Sequence, residues 1–141
     1  MTPLPDECVR QHREPQFSVK EQESEVIFLN PALLEIHQIE VDGCVFKGSD
    51  AKRCDWLVNV NGTNTSVFVE LKGSDIEGAF VQLAQTQERL EEVVKRNRIW
   101  IISYSGSPRF NTTIQNLKLR ARSEHDRARL SVEGSPYFHN L

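Results

Sequence analysis

Between Cys54 and Leu83 the chain reads CDWLVNVNGTNTSVFVELKGSDIEGAFVQL: two apolar runs split by the polar segment Asn61-Gly62-Thr63-Asn64, then an amphipathic stretch. Asn-Gly supplies residues that tolerate positive φ, the need of a tight hairpin. With those four residues as the loop, Val60 pairs with Thr65 and Asp55 stands opposite Glu70. Opposed residues on antiparallel strands share a face, with Cβ atoms about 4.5–5.5 Å apart. Lys72 lies two residues beyond Glu70 and shares that face. The other face reads Cys54, Trp56, Val58 and Val60 against Val67, Val69 and Leu71, nearly all apolar.

That pattern has a chemical use. Two carboxylates a few ångströms apart repel unless a cation sits between them, and hard oxygen ligands suit Mg²⁺. Such an ion lowers the pKa of a bound water and offsets charge building on a phosphate. Lys72 is then a candidate to position or deprotonate the water, or to stabilise the charged transition state. A third ligand is open among Asp42, Glu40 and Glu25, with Asp42 preferred because Asp-Gly precedes a strand beside that of Asp55.

Asp55, the Glu70-Leu71-Lys72 triplet and a following helix with Gln82-Leu83 resemble the PD-(D/E)xK nuclease superfamily over about residues 40–104. The resemblance implies an α/β (α+β) restriction-endonuclease-like core: a mixed sheet of about four to six strands flanked by helices. It implies Mg²⁺ on Asp55 and Glu70, with Mn²⁺ able to substitute, Lys72 beside the attacking water, and Gln82 supporting the site. Two departures stand out: Cys54 occupies the place of the family's proline, and an upstream glutamate has no assigned counterpart.

At 141 residues, 38% apolar and 26% charged, the chain fits one soluble domain. No run approaches the ~18 apolar residues of a membrane helix, and MTPLPDECVRQHRE lacks a signal-peptide core. Cys8, Cys44 and Cys54 are odd in number and without CxxC spacing, which argues against a disulfide framework or zinc site. The expectation is reduced thiols, with Cys44 and Cys54 as small buried hydrophobes, in a cytoplasmic protein. Residues 1–50 carry ten acidic against four basic side chains, and residues 101–141 six basic against three acidic. The whole is net −3, unlike a broadly basic non-specific DNA binder.

In chain order, residues 1–24 read as an N-terminal arm, a short helix or a partly ordered stretch, and 25–141 as a single nuclease-like domain. Glu25–Leu29 reads as a strand, and Leu33–Phe46 as a strand bent at Gly43. Ser74-x-x-Glu77 forms a capping box for a helix over 75–96, with Ile76, Phe80, Leu83, Leu90 and Val94 at helical spacing. Gln82 falls on the margin of that stripe, and Gln87 on the stripe, where its amide needs partners. Arg98–Tyr104 reads as a buried strand reached through a crossover, hence parallel to its neighbour. A second helix covers 111–122, capped by Asn111 or Thr112, and 128–133 is a short strand before a tail at 134–141. Arg109, Lys118, Arg120 and Arg122 are candidate phosphate contacts beside the Asp55 site, or a solvated helix end.

Two functions compete. The first is a Mg²⁺-dependent nuclease, with DNA favoured over RNA as substrate, working as a homodimer or with a protein partner and with no membrane association. The second is a non-catalytic module of the same fold that holds a protein partner through its acidic half. Motifs for serine hydrolases, P-loops, dinucleotide folds and zinc proteases are absent from the sequence.

Overall fold

Alternation sets the first strands. The computed structural model describes residues 4–48, 53–72, 75–106 and 112–141, with backbone alone at 72 and 112. Within it, Phe17 and Val19 point inward from β2 (Gln16–Glu21), and Val26 and Phe28 from β3 (Ser24–Leu29). Before them runs β1 (Val9–His12). After them come β4 (Ile36–Glu40), β5 (Trp56–Val60), β6 (Thr65–Lys72), helix α1 (Ile76–Arg89) and β7 (Asn97–Tyr104). Helix α2 (Thr112–Glu124), β8 (Arg129–Gly134) and β9 (Tyr137–Asn140) complete the chain.

The protein is α+β. Six strands form a mixed sheet in the order β1-β4-β5-β6-β7-β8, and three form a second sheet, β2-β3-β9. Strand β5 is antiparallel to both of its neighbours, β4 and β6, whereas β7 and β8 run parallel to β6, as the crossovers through α1 and α2 require. Helices cover one face of the large sheet, where Leu57, Phe68, Trp100 and Ile102 meet Phe80, Leu83 and Leu117. The small sheet covers the other face, packing Phe17, Val19, Val26 and Phe28 on Val58, Val67, Val69 and Ile101. Burial on both faces explains why β5, β6 and β7 are near-continuously apolar.

Several expectations change. Residues 9–12 and 16–21 are strands of the two sheets rather than an arm. The presumed tail supplies β9, which pairs parallel with β3. The 33–46 strand shortens to β4 and is followed by a turn at Gly43, φ 84°, closed by an Asp42–Phe46 bridge. Helix α1 stops at Arg89 instead of 96, and a 3₁₀ turn follows at Glu91–Val93. The sheet causes this. Asn59 Nδ2 donates to Val93 O at 3.0 Å and the Lys95 amide donates to Ser66 Oγ at 2.8 Å, which pulls the backbone out of helical register.

The thiol expectation fails for Cys8 and Cys44, which form a disulfide across 36 residues, and holds for Cys54, a buried free thiol. Disulfides belong to oxidising surroundings, and linear spacing did not reveal a pair brought together by the β1–β4 pairing, with Val9 opposite Ile39, and the Gly43 turn. No helix among the described residues is long and apolar enough to cross a membrane.

Candidate active site

The hairpin register is the predicted one, with Val60 opposite Thr65 and Trp56 opposite Val69. The residue that takes the left-handed conformation is Asn64, φ 51°, rather than Gly62. The Asp55 amide donates to Val69 O at 3.1 Å, which sets Asp55 across from Glu70 at the end of β5. Asp55 Oδ2 accepts from the Leu71 amide at 2.8 Å, and its carbonyl accepts from the Val41 amide at 3.0 Å. Asp55 therefore ties the end of β4 to the end of β6. Lys72, level with Tyr104, continues β6 two residues beyond Glu70.

Glu70 is only 1% exposed. A buried carboxylate is costly unless charge and hydrogen bonds compensate it. Its field is felt next door: burial pushes the Cys54 thiol well up, and the negative charges of Glu70 and Asp55 push it further, against a hydrogen bond from Thr86. Burial and these charges favour the thiol form of Cys54, whose Sγ donates to Trp56 O at 3.4 Å. Contrary to expectation, it packs into the helix-side core and not with Trp56.

Gln82 sits where the helical stripe ends. Its Nε2 donates to Arg53 O at 3.1 Å, while Thr86 Oγ1 accepts from the Cys54 amide and donates to Gln82 O, both at 2.7 Å. Helix α1 is strapped to the strand entry one residue before Asp55. Gln87, expected to need partners, finds them in the Trp100 indole at 2.9 Å and His125 O at 3.0 Å. Ser74 of the expected capping box lies outside the described residues; Asp75 caps α1, accepting from the Gly78 amide at 2.9 Å.

A cleft of about 330 Å³ opens at Asp55, lined by the 21–24 turn of the small sheet, Asp42, Leu71 and Ser105. Glu21 and Glu23 went unnoticed in the sequence because nothing local shows a β2–β3 turn meeting the end of β5. Asp42 shares the cleft with Asp55, yet its Oδ1 is held by Arg53 Nε at 2.8 Å. Glu25 is paired with Lys20 in the small sheet and Glu40 with Trp56 in the large one. Among the described residues no three His, Cys, Asp or Glu side chains are placed to hold one metal ion.

The basic candidates disperse. Arg109 lies outside the described residues. Arg120 bonds Glu124 at 3.1 Å and lies 5.0 Å over the Phe80 ring. Lys118 and Arg122 are exposed on α2. Because β8 runs parallel to β7, α2 must return to the opposite end of the sheet, and Arg122 ends beside Arg127, away from Asp55. Compared with known proteins, the chain matches no family model, no curated protein and no solved structure.

Proposed function

We propose that the chain is a Mg²⁺-dependent nuclease of the PD-(D/E)xK type, built on a restriction-endonuclease-like core and hydrolysing phosphodiester bonds, DNA ahead of RNA. The observation that carries this reading is the hairpin register that sets Asp55 across from Glu70. Helix α1 and the parallel β7 follow in the order such a site needs.

The donor set fits the ion. Mg²⁺ is ordinarily held by one or two carboxylates plus waters and substrate phosphates, so Asp55 and Glu70 suffice without a protein cage. When bound, the ion supplies a water of lowered pKa and a counter-charge for the phosphate. Asp55 and Glu70 would hold it, and the Leu71 amide bond fixes the Asp55 carboxylate for the task. Lys72, two residues beyond Glu70 along β6, is the residue assigned to orient or deprotonate the attacking water. Gln82 and Thr86 keep the Arg53–Cys54 segment, and so Asp55, in place. In this reading the protein acts on nucleic-acid structure more than on sequence, as a homodimer or guided by a partner.

The near-complete burial of Glu70 favours a second reading, a non-catalytic module that binds a protein partner through the same fold. One assay separates them: plasmid, single-stranded and branched DNA, and RNA, each with Mg²⁺ or Mn²⁺, for wild type and Glu70→Ala. The nuclease reading expects cutting that Glu70→Ala abolishes. Absence of cutting on every substrate, together with no heat of Mn²⁺ binding, transfers the assignment to the module.

A further inference from the structure

At the opposite end of the parallel strands lies a second cleft, of about 400 Å³, lined by Arg96, Asn97, Arg98, Asp126, Arg127 and Arg129. Asn97 precedes the partner of Glu70, Ile102, by five residues, so this cleft begins about 17 Å along the sheet from the carboxylate. Its arginines divide into two kinds. Arg98 is structural: it reaches Glu91 at 2.9 and 3.2 Å and Asp126 at 2.9 Å, with its side chain 11% exposed. Arg96, Arg127 and Arg129 are exposed, and none of the three has an ion pair among the described residues.

The turn that carries Arg127 is built rather than loose. Asp126 and Arg127 both take left-handed backbone, φ 58° and 61°, a conformation that non-glycine residues seldom adopt in succession. The Arg127 amide donates to Arg122 O and the Ala128 amide to His125 O, both at 3.2 Å. The His125 ring is fixed 5.3 Å from that of Trp100 and Ala128 is fully buried.

We propose that this cleft is a phosphate-backbone binding site for nucleic acid, separate from the carboxylate site, with Arg96, Arg127 and Arg129 contacting phosphates. Its ligand class rests on the nucleic-acid reading of the Asp55 site. The chemistry favours nucleic acid over an acidic protein. A protein interface buries an apolar centre, whereas among the described residues no apolar side chain lines this cleft. Phosphate contacts need cations, and the guanidinium fork matches phosphate oxygens. Arg127 also borders the adjoining groove of Leu119, Arg122 and Ser123, so a backbone track can continue along the end of α2.

The test is anisotropy of labelled single- and double-stranded DNA and RNA in EDTA, over a salt titration. Compared are wild type, the triple variant Arg96→Gln/Arg127→Gln/Arg129→Gln, and a control of equal charge loss, Arg10→Gln/Arg13→Gln/Lys20→Gln. The triple variant is expected to flatten the slope of log affinity against log salt by about 2–3, and each single variant by about 1, while the control binds as wild type. The single variants decide the matter if the triple variant does not fold. An unchanged slope in the cleft variants, an equal loss in the control, or no binding by wild type overturns the proposal. Tighter binding of polyglutamate than of DNA reassigns the cleft to an acidic protein. Because EDTA removes any need for cutting, binding without cleavage sinks only the nuclease reading, and cleavage with an unchanged slope sinks only this one.

Discussion

Under the nuclease proposal Asp55 has two separable tasks, and two substitutions divide them. Its Oδ2 accepts the Leu71 amide at 2.8 Å, a bond to a charged, partly buried acceptor. Asp55→Ala leaves that amide without its partner, at a cost of about 1–3 kcal/mol. For a chain of 141 residues that lowers the melting temperature by about 3–10 °C. Asp55→Asn keeps a carbonyl oxygen for the Leu71 amide and so keeps most of the stability, yet it removes one of two anionic ligands. Loss of a hard ligand is worth several kcal/mol of transition-state charge stabilisation, so cleavage falls by at least about 100-fold, or roughly 2.7 kcal/mol. Calorimetric melting, Mn²⁺ titration and plasmid cleavage on the three proteins read both tasks. An Asn variant that cuts as wild type refutes the catalytic assignment. An Ala variant that melts as wild type refutes the structural one.

Two further outcomes follow from the fold. Removing the Cys8–Cys44 bond with Cys8→Ser/Cys44→Ser frees a loop of 36 residues and lowers stability by about 3–4 kcal/mol; a non-reducing peptide map should show Cys8 joined to Cys44 and Cys54 unlinked, and either a linked Cys54 or unchanged melting contradicts the structure. Burial lowers the His139 pKa below its ordinary 6.5, so the unfolded chain takes up the proton first and stability, complete above that value, declines as pH falls from about 6.5 towards the folded pKa. A proton NMR titration placing His139 at or above 6.5, or an identical decline in His139→Gln, opposes this.

The sequence made the middle of the fold legible because its signals there are local. Asn-Gly placed the hairpin, the 3.6-residue stripe placed α1, and the RIWIISY run placed β7. Where pairing is remote the signals fail. The Tyr137–Asn140 strand finds its partner in Val26–Leu29, and four residues of ordinary polarity do not advertise it. The end of α1 is set by Asn59 and Ser66, some thirty residues earlier, through bonds that helix propensity does not contain. The candidate site divides in the same manner: the relation of Asp55 to Glu70 is a matter of register, whereas the acidic 21–24 turn reaches the cleft only through sheet packing. Arg122 fell at the wrong end because the direction of α2 depends on β8 being parallel to β7.

The state of Cys54 bears on which ion suits the site. A thiolate beside two carboxylates would make a soft, triply anionic pocket, one that favours zinc or another thiophilic metal. Burial and the two neighbouring acids act in the same direction on this thiol, keeping it protonated. Its hydrogen is directed to Trp56 O, and its amide is engaged by Thr86. What the strand ends then offer a cation is oxygen, from Asp55 and Glu70, and an oxygen set of two carboxylates is the preference of Mg²⁺ or Mn²⁺. Cys54, held in its neutral form by burial and by these charges, thus leaves oxygen as the donor type of the proposed pair.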